Sequence, residues 1–125
     1  MAARTWRIEL PAGMPLLNAN HRTHWRRKAE RTRAIRQAAM LHARSALVPQ
    51  LERAHVTGIY EPPDRRRRDP ANLYPSFKAA IDGALVDAGV LPDDDSTHLD
   101  GPDMRLGPVH PGGRLVLVIT ELEAP

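Results

Sequence analysis

Residues 65–95 read RRRRDPANLYPSFKAAIDGALVDAGVLPDDD: an arginine run joined to a carboxylate, a lysine in a helical pattern, and three consecutive aspartates. Arginines in a short loop neutralise backbone phosphates, and aspartates brought together from distant points hold Mg²⁺ against a phosphate ester. One segment therefore offers both halves of a phosphodiester-cutting site.

The rest of the composition is consistent with that chemistry. Residues 1–78 carry 16 basic and 6 acidic side chains, a charge of +10, whereas residues 79–125 carry 2 and 9, a charge of −7. Such a split suggests a footprint for a polyanion beside a cation-binding centre, or simply two solvated faces of opposite sign. Sixteen of the 18 basic residues are arginine, which also fits a GC-rich genome. With no cysteine, disulfides and zinc-thiolate sites are excluded, and a metal, if present, takes oxygen ligands. A chain of 125 residues suits one domain, residues 1–125, whose modest core a dimer would enlarge. No apolar run is long enough to span a bilayer and no basic-then-apolar leader follows Met1, so we expect a soluble protein of the cytoplasm, bacterial or of a phage-infected host.

The positioning elements follow from periodicity. Residues 5–10 alternate as a strand, and Pro11, Gly13 and Pro15 break it into a loop carrying Asn18, Asn20, His21 and Arg22. Residues 23–48 form a basic helix with Trp25, Ala29, Thr32, Ile35, Ala39 and Ala46 near one stripe, stopped by Pro49. Residues 55–60 form a second strand, ended by Pro62 and Pro63 before the arginine loop. A second helix opens near Asn72 and buries Leu73, Phe77, Ala80, Ile81, Ala84, Leu85 and Ala88, with Gly89 as its stop. Residues 99–109, broken by Gly101, Pro102 and Pro108, make at best a short or edge strand, whereas RLVLVITE at 114–121 is the strongest strand. Pro111, Gly112 and Gly113 offer a hairpin turn between these two. The predicted order is β-α-β-α-β-β, an α+β fold with two helices packed on one face of a small mixed sheet.

These residues resemble the RusA family of Holliday junction resolvases, small dimeric Mg²⁺-dependent endonucleases of phages and prophages. The resemblance rests on PDRRRRD at 63–69, the pair Asn72 and Leu73, KAAID at 78–82, Ala88-Gly89 followed by the acidic cluster at 93–95, and GGRLVLVIT at 112–120. These pieces fall in family order over roughly the last 63 residues. The N-terminal half matches more loosely, through its Pro-rich loop, asparagines and basic helix.

The resemblance implies a homodimeric RusA-like fold and symmetric paired nicking of four-way junctions and other branched DNA, with Mg²⁺, or Mn²⁺ in its place. It implies that Asp69 and Asp94 are catalytic metal ligands and that Lys78 is the essential helix lysine, stabilising charge on the phosphate oxygens. Arg65, Arg66, Arg67, Arg68 and Asn72, with Arg22, Arg26 and Arg27 of the basic helix, would contact the nucleic acid. The sequence departs from the family in one ligand: the first motif usually reads Asp-x-Asp-Asn, and here it is Asp69, Pro70, Ala71, Asn72. Asp82, four residues after Lys78 on the same face, or Asp95 from the loop, would take the vacant place, Asp82 being preferred. The spacing from Asp69 to the acidic cluster is about four residues longer than usual, close to one helical turn, so the helix face is nearly preserved.

Taken alone, the same residues have plainer readings. Lys78 and Asp82 are an i, i+4 pair, the spacing of a surface salt bridge, and the aspartate run suits a solvated turn. Trp25 reads as a helix-packing residue in preference to a base-stacking wedge, and His98 as incidental. Two other functions stay open: a catalytically impaired branched-DNA-binding protein lacking the carboxylate at position 71, and an arginine-rich regulator that binds nucleic acid through residues 22–44.

Overall fold

In the computed structural model, which describes residues 3–123, all six elements follow the predicted order, and one of them, the third strand, is paired differently. The strands are β1 (Thr5–Glu9), β2 (Arg53–Glu61), β3 (Leu99–Leu106) and β4 (Arg114–Leu122), and the helices are α1 (Trp25–Ser45) and α2 (Tyr74–Ile81). They form an α+β fold in which two helices cover a four-stranded mixed sheet of order β1-β4-β2-β3.

Strand β4 is central because it is apolar on both faces. Leu115, Leu117 and Ile119 point toward the helices and are at most 1% exposed, and Val116 on the opposite face is fully buried. Its backbone is hydrogen-bonded along both edges, because β4 pairs antiparallel with both β1 and β2. The expected hairpin between β3 and β4 is therefore corrected: β3 pairs with β2, in parallel, as the outer strand. Its polar sequence LDGPDMRL tolerates an edge, and the crossover through α2 is the long connection that parallel pairing requires. Residues 107–110 then continue in the same direction past the end of β2, with Gly107 N donating to Tyr60 O and His110 N to Pro62 O, at 2.8 and 2.9 Å.

Helix α1 is shorter than the expected 23–48, ending where Leu47 adopts a φ of +57°. Its buried face is Ile35, Ala39 and Ala43, spaced four apart. Trp25 is 68% exposed, so the expectation that it packs is corrected, and Ala46 is exposed as well. The buried stripe occupies only the middle and C-terminal part of the helix, and residues 24–28 at its start are exposed.

A 3₁₀ turn, Pro70–Leu73, leads into α2, and a π-helical turn, Asp82–Asp87, continues it. The buried face holds the expected Leu73, Phe77, Ala80, Ile81, Ala84 and Leu85, together with Ala79 and Gly83, while Ala88 is only partly covered. Gly83 lies in the widened turn because α1 crosses there: a Cβ at this position would lie 2.0 Å from Arg36 O. Beside that crossing the Arg36 guanidinium grips Asp87 with two bonds, 2.9 and 2.7 Å, which holds the Asp87 carboxyl below its usual range. Phe77 fills the space left by Gly58 of β2.

On the sheet face away from the helices, Glu61 is 4% exposed and lies between Arg7 and Arg114, both of which also reach Glu9. Burial pushes the Glu61 carboxyl up, but Arg114 and Arg7 outweigh it and leave it below the ordinary value. Among the described residues no helix is long and apolar enough to cross a membrane.

Candidate active site

Asp69 owes its place to helix chemistry. Its backbone is extended, its Oδ1 accepts from Ala71 N at 3.0 Å, and Pro70 follows at the first helical position, so it caps the 3₁₀ turn. Ala71, Pro75, Lys78 and Asp82 then recur at spacings of four, three and four, one outward stripe of the helix, and none of them is fully buried.

Midway along this stripe, Lys78 Nζ donates to Asp82 Oδ1 at 2.7 Å and to Asp94 Oδ2. Asp94 reaches it because the chain reverses after the helix. Gly89 takes a φ of +76°, Leu91 N donates to Leu85 O at 2.9 Å, and Val90 and Leu91 are buried, which anchors the turn and sends the aspartates back along α2. Asp93 Oδ1 accepts from Asp94 N at 2.7 Å and stiffens the approach.

Two carboxylates sharing one ammonium reshape its protonation. Burial lowers the Lys78 pKa, but the hydrogen bonds to Asp82 and Asp94 outweigh it and hold the group above its usual value. Lys78 is thus a fixed positive charge at neutral pH, suited to meeting developing negative charge and unsuited to taking a proton. The Lys78 hydrogen bond likewise draws the Asp94 carboxyl below its ordinary range, against a smaller opposing effect of burial.

The remaining aspartates lie apart from this cluster. Asp95 turns inward on its own loop, accepting from Thr97 N at 3.0 Å and from the Thr97 hydroxyl, which lower its pKa. No hydrogen bond or ion pair joins Asp69 to Lys78, Asp82 or Asp94 among the described residues. Nor do the described residues contain a group of three or more His, Cys, Asp or Glu side chains placed to hold a metal ion. What the fold does bring together is Lys78, Asp82 and Asp94: Asp82 shares the Lys78 ammonium with Asp94, whereas Asp95 is engaged by Thr97.

The arginine loop divides by role. Asp64 gathers it: its Oδ1 accepts from Arg66 N at 3.0 Å and meets Arg68 Nη2 at 2.8 Å, bonds that keep its carboxyl below the ordinary range. Arg68 also donates to Asp64 O and Arg66 O and lies 6.0 Å from the Tyr60 ring, so it is a brace for the loop. Arg65, Arg66 and Arg67 are exposed. Asn72 belongs to a cavity of about 320 Å³ lined by Asn18, Asn20, His21, Tyr60, Arg67, Arg68 and Asp69. Two ties hold the N-terminal loop there: buried Ser76 Oγ accepts from Leu17 N and donates to Leu17 O, both at 2.7 Å, and Ala19 N donates to Asn72 O at 2.8 Å. Arg22, Arg26 and Arg27 are exposed near the start of α1, outside this cavity.

Sequence reasoning missed Asp64 and Tyr60 as parts of the site. Asp64 had a local signal, a carboxylate opening an arginine run, whereas Tyr60 read only as a strand residue, and its part in the site shows in the Arg68 guanidinium lying 6.0 Å from its ring. No family model matches the chain, and no curated protein matches it.

Proposed function

We propose that the protein is a Mg²⁺-dependent endodeoxyribonuclease that resolves Holliday junctions, of the RusA type its motifs resemble. The observation that carries this reading is Lys78 held between Asp82 and Asp94, which unites the KAAID segment and the acidic cluster in one half-buried group. The donors fit Mg²⁺, which binds hard oxygens, needs only one or two carboxylates from the protein, and keeps several waters. Asp82 and Asp94 would hold the ion, whereas Asp69, a ligand in the resemblance, lies apart from them. When bound, Mg²⁺ supplies Lewis acidity and lowers the pKa of a water.

The chain's own residues do the rest. Arg65, Arg66 and Arg67 hold phosphates on either side of the scissile bond, fixing register without reading bases. Lys78 faces the non-bridging oxygens as charge builds on them. Water adds to phosphorus and the bond to the 3′ oxygen breaks, leaving a 5′-phosphate and a 3′-hydroxyl that a ligase rejoins. The same proposal includes a two-fold dimer, which sets one site on each of two opposing strands of a nearly symmetric junction.

The test is nicking of a labelled four-way junction and a linear duplex with Mg²⁺, Mn²⁺ or EDTA, for the wild type and Asp94→Asn. Symmetric, metal-dependent cuts on the junction, lost in the variant with binding retained, support the proposal. A second reading is favoured by the position of Ala71 and by the ammonium already lodged between Asp82 and Asp94: a protein that binds branched DNA without cutting it. Tight junction binding with no cleavage under any metal would select it.

A further inference from the structure

The catalytic reading leaves unused a continuous surface on the N-terminal side of the molecule. The cavity beside Asp69 and a second depression of about 310 Å³ share Asn18 and His21. The second is also lined by Arg22, Thr23 and Lys28. The shared residues make the two depressions neighbours, with Arg67 lining the first, Arg22 and Lys28 the second, and neutral amides in both, as the walls of a channel would be.

Trp25 stands beyond the second depression. Lys28, three residues on, shares its side of α1. The indole is 68% exposed, stacks with His24 at a centroid distance of 5.8 Å, and has the Arg26 guanidinium 5.3 Å from its centre. A large aromatic kept in water among arginines contributes little to the core and is placed for an external partner of negative charge with flat faces.

We propose that this channel binds an unpaired stretch of DNA and that Trp25 stacks on one of its bases. The inference rests on the nucleic-acid reading above and names its substrate feature: single-stranded character next to the cut. A cationic groove that tracks the backbone, ending at an aromatic platform, is the recurring form of single-strand sites. The amides of Asn18, Asn20 and Asn72 suit base edges and sugars, which unpaired DNA presents and paired DNA conceals.

The protein has two tryptophans, so Trp6→Phe leaves Trp25 as the sole indole, and Asp94→Asn prevents cutting. This double variant is titrated with a short single strand, a blunt duplex, and four-way junctions with and without unpaired bases at the branch. Indole emission and the anisotropy of labelled DNA are read together. We expect the single strand and the gapped junction to quench Trp25 by about half and the blunt duplex to leave it nearly unchanged. Trp25→Ala should weaken single-strand binding about tenfold with an unchanged circular dichroism spectrum. If Trp6→Phe unfolds, the difference in emission between wild type and Trp25→Phe gives the same reading. DNA binding by anisotropy with unchanged indole emission, or full single-strand affinity in Trp25→Ala, overturns this inference and leaves the nuclease reading standing. Quenching by single strands in a wild type that never cuts does the reverse, and absence of all DNA binding overturns both.

Discussion

Lys78 and Asp94, sixteen residues apart in the chain, are joined side chain to side chain, and Asp82 holds the same ammonium from one helical turn further along α2. A cation therefore already occupies the space between the two carboxylates. Under the nuclease proposal, a metal ion would compete there with an internal ligand, and substrate phosphate would complete the exchange by drawing Lys78 away.

Replacing Lys78 with alanine separates these roles. Cleavage should fall about 100-fold, the usual cost of removing one preorganised charge facing a developing anion. Mn²⁺ affinity, followed by electron paramagnetic resonance, should rise, because the competing ammonium is gone. A fall in metal affinity would mean that Lys78 and the ion do not share the carboxylates.

The ion pair also sets a pH window for stability. Asp94 lies below the ordinary carboxylate pKa of about 3.9, so its contribution is present above that value and is lost as pH falls through the lower native pKa. Lys78 lies above about 10.4, so its contribution is present below that value and is lost as pH rises through the higher native pKa. Urea unfolding of wild type and Asp94→Asn should show a constant difference from about pH 5 to 9 that shrinks on the acid side. A difference unchanged at about pH 2 would remove the ion pair as its cause.

Position 71 offers a gain-of-function test. Ala71 is exposed at the start of the helix, on the stripe of Lys78 and Asp82, where a carboxylate faces the positive end of the helix dipole. Ala71→Asp should keep the fold within about 0.5 kcal/mol and lower the Mg²⁺ concentration for half-maximal cleavage. An unchanged metal requirement would show that Asp82 already fills the role.

The helix crossing depends on one missing side chain. Gly83→Ala should cost about 3 kcal/mol or more, because its Cβ meets Arg36 O, a backbone atom that cannot move alone. Gly89→Ala should cost about 1–2 kcal/mol, since the strain there is only that of a φ of +76° with no neighbour within 4 Å. Urea midpoints of the two variants give the comparison, and the reverse order would place the tight contact elsewhere.

Local pattern was enough for the elements and for most of the core. Period-two runs gave β1, β2 and β4, and the spacing from Leu73 to Leu85 gave the face that α2 buries, because each follows from which side of one element is apolar. Asp69, Lys78, Asp82 and Asp94 stood out as residue types at spacings that suit phosphate chemistry. Three matters belonged to the tertiary structure alone. Strand β3 lies at the far edge of β2, since both edges of β4 are taken by β1 and β2. Trp25 faced water, since the buried stripe of α1 occupies only its middle and C-terminal part. Asp82 came to share the Lys78 ammonium with Asp94, since that contact depends on the path of a turn anchored by Val90 and Leu91, whereas Asp95 is engaged by Thr97. Sequence spacing fixes direction along one helix or strand, but proximity between elements is set by how their buried faces meet.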